Sequence, residues 1–401
     1  MRESLLEHLR SPGEPGVELC LEALSGSGDR VEEGVLHDGS GRWWWVAGGI
    51  PRLLPAHLFR RPDLEVKHAA VLRRLGLERP KRNGQARGGL EAATIDRFGA
   101  EWLQFRDWGH RDAPPDGADP PEHRGGLWGD TRRAFESKTF LAGRLGDRLV
   151  LDAGCGNGRF TRAALEHGAS EIVSIDIGWG VEAAHERFRD DPRVHVVQAS
   201  LFEIPLARVD AAFSLGVLMH TGDAARAFAA IARVVGAGGL MSVRMYHRGN
   251  WAHEIVDGAI RGVTTRLPKP AQQRVARRMA RLGRWLESRE RRRGKPGLRM
   301  RWYQVLRNHP TVHHNLDWWS APVATHHTSR EVVAWGGAAG LEVVRADPKP
   351  REGGYPFWEW PEALTVLFER PMAAEAGERP GAFVEEHAST AGARASHGVA
   401  A

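Results

Sequence analysis

The chain has 401 residues, of which 42% are hydrophobic and 26% charged, and its net charge is +6. That is enough apolar material for one large domain and one or two small ones, and two cysteines, Cys20 and Cys155, exclude a disulfide framework and fit a reduced, cytoplasmic setting. No run of 18 or more apolar residues occurs and the first residues lack a signal-type core, so no membrane span is expected.

Residues 1–55 read as a small β-rich module. A start of LLEHLR at 5–10 and a polar hairpin region lead to WWWVAGGIPRLLP at 43–55. The closing GIPRLLP resembles the Trm112-like zinc-ribbon module. That resemblance implies two Cys-x-x-Cys pairs, yet the matching positions hold Ser11 and Glu14, then His37 and Ser40. A degenerate module without thiolates is expected to bind no zinc, with Trp43, Trp44 and Trp45 supplying the core instead. Cys20 reads as buried filler.

Residues 56–125 are rich in Arg, Gly, Pro and Asp and read as a linker. Within it, Phe98, Trp102 and Phe105 recur at helical spacing, which puts three rings on one face. Such a helix either packs on a domain or covers a site as a lid.

From 148 onward, β-branched runs alternate with helical patterns, the signature of a parallel sheet. Strands are expected at 148–152, 171–176, 194–198, 209–214 and 240–245, with 341–345 and 364–368 completing a seven-stranded sheet. Residues 126–371 form this α/β domain, interrupted by an insertion at 247–328. Val275, Met279, Leu282 and Leu286 recur at helical spacing there. Residues 261–301 hold fifteen Arg or Lys against Glu287 and Glu290, so this helix has a basic outer face. Residues 372–401, rich in Ala, Gly and Glu, read as a disordered tail.

The most informative stretch is 149–160, LVLDAGCGNGRF. A short apolar run ends in Asp152, three glycines follow at 154, 156 and 158, and a helical pattern starts at once. The spacing is G-x-G-x-G; Arg159 stands where the third glycine of a dinucleotide fingerprint would fall. Asp176 closes the next β-branched run, 18 residues after Gly158.

These residues resemble those of class I S-adenosylmethionine-dependent methyltransferases, whose Rossmann-like sheet has seven strands. FGAEWLQF at 98–105 is similar to the segment that precedes their core. The resemblance implies S-adenosyl-L-methionine as cofactor. Asp152 would face its amino-acid end, Gly154, Gly156, Asn157 and Gly158 would form the turn beside it, and Asp176 with Ile177 would hold the ribose. Ser200 stands where related enzymes carry an Asp for the adenine amino group; Leu201 and Leu215 complete the crevice. His220, after strand four, and His247, after strand five, are the catalytic candidates. Trp318, Trp319 and His326 match a stretch that lines acceptor pockets.

The implied function is methyl transfer to oxygen or nitrogen of a small-molecule acceptor, of specialised-metabolite or sugar-like type. One alternative is an RNA methyltransferase using the Arg-rich insertion. It is disfavoured by Ser214-Leu215-Gly216-Val217 standing where base-directed enzymes carry Asn-Pro-Pro-Tyr. A second alternative is a non-catalytic scaffold of a methyltransferase complex. His313, His314, Asp317, His326 and His327 follow no metal-site spacing, so no metal is expected.

Overall fold

The computed structural model describes residues 1–77, 89–110, 131–293, 302, 305–306, 308–351, 355–357 and 359–372. The expected tail, but for Met372, lies outside them, as do 78–88 and 111–125 of the expected linker and 126–130 of the expected α/β domain.

A 3-10 turn, Glu3–Glu7, opens the chain, followed by a two-stranded ribbon, β1 (Arg10–Ser11) and β2 (Glu14–Glu18). An antiparallel run follows: β3 (Cys20–Ser27), β4 (Arg30–His37), β5 (Trp43–Ala47) and β6 (Ile50–Leu53). Alternation along β5 divides the tryptophans. Trp43 and Trp45 pack edge-to-face at 5.2 Å within one core, with Leu54, Phe59, Leu64 and Ile95. Trp44 points to the opposite core, with Leu5, Leu9 and Leu36.

At the positions that matched the zinc ribbon stands a polar knot. Arg42 donates to Ser11 Oγ and Asp38 Oδ2, both at 2.7 Å, and pairs with Glu14 at 2.7 Å. Ser40 donates to Asp38 through its backbone N–H and its hydroxyl. A guanidinium thus links the two hairpins that thiolates and a metal would link. Cys20 is exposed at the start of the edge strand β3, not buried as the sequence suggested, because nothing pairs with the outer side of that strand among the described residues.

The expected linker is largely helical where it is described: α1 (Pro62–Lys67), α2 (Ala69–Arg74) and α3 (Leu90–Gln104). Leu64, Leu72 and Ile95 from these helices close over Trp43 and Trp45.

The α/β core follows: α4 (Thr131–Thr139), β7 (Leu149–Ala153), α5 (Arg159–Glu166), β8 (Glu171–Asp176), α6 (Gly180–Phe188), β9 (Val194–Ala199), β10 (Val209–Leu215), α7 (Ala224–Val234) and β11 (Val235–Tyr246). After the insertion come α11 (Ser329–Ala338), β12 (Glu342–Asp347) and β13 (Ala363–Glu369). The seven expected strands stand in the order β9-β8-β7-β10-β11-β13-β12, parallel except at β13. Apolar faces of α4 and α5 cover one side of the sheet, and those of α7 and α11 the other. A capping box, Thr328 with Glu331, starts α11.

The N-terminal strands extend this same sheet. β6 pairs in parallel with β9, giving eleven strands in all, so β3 to β6, residues 20–53, are an outer wing of the sheet. Buried Arg52 fastens the seam: it donates to Gln198 Oε1 at 3.0 Å and the Ala47 carbonyl at 3.2 Å, and pairs with Glu182 at 2.6 Å.

The insertion holds α8 (Trp251–Thr264), α9 (Lys269–Arg293) and α10 (Val312–Ser320). The buried stripe of α9 runs through Gln272, Ala276, Ala280, Gly283 and Leu286. The larger Val275, Met279 and Leu282 are only half-buried beside it. Small residues face inward because the neighbouring chain comes close: a Cβ on Gly283 would lie 2.8 Å from the His309 backbone. No described helix is long and apolar enough to cross a membrane.

Candidate functional site

The carboxyl ends of β7, β8, β9, β10 and β11 open onto one cavity of about 410 Å³. Open α/β sheets place their ligands there, because the strand order reverses at the first strand, here β7. Gly154, Asp176, Ile177, Ser200, Leu201 and Leu215 line one end of it. His220 and Trp318 line it as well, so eight of the expected site residues meet at one place.

The turn after β7 needs its glycines. Gly154 has φ +94°, and a Cβ there would lie 2.4 Å from Val217. Gly156 has φ +55°, and a Cβ would lie 2.7 Å from the Trp102 ring. Both positions pair a left-handed backbone with a close approach that only hydrogen permits. Asp176 is fixed by its own neighbours. Its Oδ2 accepts the Gly156 N–H at 2.9 Å, and its Oδ1 the Gly178 N–H at 2.7 Å. Burial pushes this carboxyl above its usual range, while the backbone donors hold it back. A carboxylate so placed on the cavity wall suits a pair of ribose hydroxyls.

Other residues of the turn stand behind it. Asp152 is buried, accepts the Thr161 hydroxyl at 2.7 Å, and is pushed up to about 7 chiefly by burial. Asn157 uses its amide to clamp the chain after α3, donating to the carbonyls of Phe105, Arg106 and Trp108 at 3.2, 3.2 and 2.9 Å. Gly158, at the start of α5, lies against Phe188. These three shape the turn from outside the cavity wall.

The aromatic helix α3 lies over the cavity. Phe98 and Trp102 line it, together with Glu91 and Thr94 from the first turn and Trp108 beyond the end. Phe105 instead packs with Ala276 and Leu316 of the insertion. Ser200 Oγ donates to Glu91 Oε1 at 2.8 Å, so α3 brings a carboxylate to the strand-end position that lacks its own. Sequence reasoning missed Glu91, because it lies 109 residues from Ser200 and in no motif.

His220 sits on a short 3-10 turn, Leu218–His220, after β10. Its Nδ1 lies 2.6 Å from the Val323 carbonyl, which requires the proton on Nδ1. Its Nε2 is buried and has no hydrogen-bond partner among the described residues. Burial holds the imidazole down at about 4, so the ring is neutral at pH 7 with a lone pair on Nε2. Phe98 at 5.0 Å and Tyr246 at 5.5 Å flank it.

The far wall comes from α10 and β11. His313, His314, Asp317 and Trp318 all line the cavity, as do Arg244 and Tyr246. Trp318 and Tyr246 lie 4.1 Å apart, and Trp318 Nε1–H donates to Asp257 at 2.5 Å. His313 Nδ1 lies 3.0 Å from Glu101, on α3. Arg159 stacks on Trp108 at 4.2 Å and Phe160 at 4.4 Å. Burial lowers Arg159 to about 9 and Lys138 to about 7. The same burial, with Glu101 nearby, raises Asp317 to about 6.

Three expected residues stand apart. His247 turns toward Tyr355 and Trp360, away from the cavity. Trp319 is buried on the insertion side, where its carbonyl accepts from Thr264 at 2.5 Å. His326 lies behind Trp318, with Nδ1 2.8 Å from Glu254.

Residues 151–243 match the family model described as a methyltransferase domain. A tRNA U34 carboxymethyltransferase of Vibrio cholerae is 40% identical over 81 residues, 19% of this chain and 25% of that protein. A probable S-adenosylmethionine-dependent methyltransferase of Mycobacterium tuberculosis is 38% identical over 110 residues, 27% of this chain and 39% of that protein. The chain therefore spans well under half the length of these relatives. Among solved structures, the complex of the Haloferax volcanii Trm112 methyltransferase activator with a methyltransferase is similar at 14% identity and TM-score 0.39, over 70% of this chain and 99% of that one. Magnesium protoporphyrin IX methyltransferase of Synechocystis is similar at 14% identity and TM-score 0.40, over 70% and 100%.

Proposed function

We propose that this chain, which carries a class I methyltransferase domain using S-adenosyl-L-methionine, methylates oxygen or nitrogen of a small-molecule acceptor held between His220 and the α10 wall. The observation that carries this reading is the single cavity. It runs from the Gly154–Asp176 end, which fits a nucleoside, to Tyr246 and Trp318, and α3 roofs it.

The bound cofactor supplies an electrophilic methyl group on a sulfonium. The chain's own residues then have three tasks. Asp176 and the Ser200–Glu91 pair hold the nucleoside end. Phe98, Trp102 and Trp108 exclude water, which would otherwise compete as acceptor. His220 meets the acceptor: its Nε2 lone pair accepts the proton that an attacking hydroxyl or amine gives up. Trp318 and Tyr246 offer stacking surface that aligns the acceptor, and alignment is most of what a direct displacement requires. The degenerate N-terminal wing serves this site indirectly, because its tryptophan core carries α3.

A second reading, with RNA as acceptor, is favoured by one feature. Arg274, Arg277, Arg278 and Arg281 are exposed in one row on α9, a basic stripe of the kind that meets phosphates. The Vibrio cholerae relative is also named for a tRNA nucleotide. One experiment separates the two. The protein is incubated with methyl-labelled cofactor and a cell extract, which is then divided into small molecules, RNA and protein. His220-dependent label in the small-molecule fraction supports the first reading. Label confined to RNA replaces it with the second.

A further inference from the structure

Outside the cavity, the insertion builds a cluster that no sequence motif announces. His253 and Glu254 are adjacent on α8, and His326 lies 72 residues beyond Glu254. Each offers one donor atom, and the three atoms lie within 4.8 Å of one another. His253 is 1% exposed and the His326 side chain 7%. Glu254 Oε2 lies 2.8 Å from His326 Nδ1. An ion pair explains that contact. It leaves unexplained why a second imidazole joins it, with ring centres 5.8 Å apart. It also leaves His326 Nε2 buried with no hydrogen-bond partner among the described residues, a costly state for a polar atom.

We propose that His253, Glu254 and His326 bind a divalent transition-metal ion of the zinc class, which clamps α8 to the segment that follows α10. Two imidazoles and a carboxylate are a donor set that zinc takes readily, with water in the fourth position. Small rotations of the three side chains bring donors to bonding distance. The His326 ring stacks on Trp318 at 5.9 Å and 22°, so the ion would stand directly behind the acceptor wall. It would fix the His326 ring, which lies against both Trp318 and Tyr246, with ring centres 5.9 and 6.0 Å away. Its role is structural, since none of its three ligands lines the cavity.

The test uses the full chain, stripped with a chelator and titrated with zinc against a chromophoric competitor. One equivalent is expected to bind. Glu254→Gln and His326→Ala should each weaken it by more than the roughly 10–100-fold that loss of an outer-shell partner costs. His327→Ala removes a neighbour whose Nε2 bonds Thr325 Oγ1, and should leave zinc affinity unchanged. Cobalt(II) in place of zinc should give a visible absorption band that Glu254→Gln abolishes. Circular dichroism checks the fold of each variant; should His326→Ala misfold, the near-isosteric Glu254→Gln decides alone. Absence of stoichiometric zinc in the folded wild type, or undiminished affinity in Glu254→Gln, overturns the proposal.

Discussion

His220 carries the chemistry proposed here, and its protonation can be followed. Burial holds it at about 4, against the ordinary value of 6.5. Its Nε2 therefore stays unprotonated across pH 5.5–8, and a turnover profile under saturating cofactor and acceptor should show no limb near 6.5. His220→Ala should lower turnover about a hundredfold or more if the ring takes a proton, with cofactor affinity nearly unchanged. If it only orients the acceptor, the loss should appear mainly in the acceptor's KM. A limb near 6.5 that disappears in His220→Ala would contradict the buried, neutral state. The same depression bears on stability: the unfolded chain takes up the proton below 6.5 while the folded one does not. Stability from this residue is thus full above 6.5 and lost as pH falls toward 4.

Among the elements, the N-terminal wing and α3 show what a sequence conveys and what it leaves unsaid. The glycine spacing and Asp176 announce the β7–β8 crevice, because both are local in sequence and each residue type has one physical job. The seven strands are legible for the same reason, their periodicity being local. The partners that complete the site are not legible. Glu91 reaches Ser200, and His313 reaches Glu101, only after the chain folds back over more than a hundred residues. His247 misleads because its position after β11 is right, yet its ring turns to Tyr355 and Trp360. The absence of thiolates in the wing is plain from sequence, but Arg42 as their replacement is not. Hydrogen bonds from Ser40, Ser11 and Arg42 outweigh burial and hold the Asp38 carboxyl at about 2. Asp38→Ala should therefore cost about 0.5–1.5 kcal/mol of stability, since it removes the shared acceptor of Ser11, Ser40 and Arg42, whose donors are part-buried or exposed, read as a lower urea midpoint. Zinc binding should be indifferent to His37→Ala and Glu14→Ala. A zinc equivalent lost in those variants would show that the wing still holds metal.

At the scale of the whole molecule, the wing and the α/β core are one sheet, and the seam between β6 and β9 should matter to both. Arg52 spans it, with Gln198 on β9 and Glu182 on α6. Arg52→Ala leaves a carboxylate and a buried amide without their donor and should cost about 1–3 kcal/mol. Because the tryptophan core beneath α3 belongs to the wing, cofactor affinity should fall in the same variant. Loss of stability with unchanged affinity would show that wing and lid are uncoupled.

The β7–β8 crevice is where the cofactor is expected to bind. Calorimetric titration of the full chain with S-adenosylhomocysteine, wild type against folded Asp176→Ala, tests it most directly. Removing a charged acceptor of hydroxyl donors costs roughly 1.5–3 kcal/mol, so affinity should fall by about tenfold or more. Equal affinity in the two proteins would place the cofactor elsewhere.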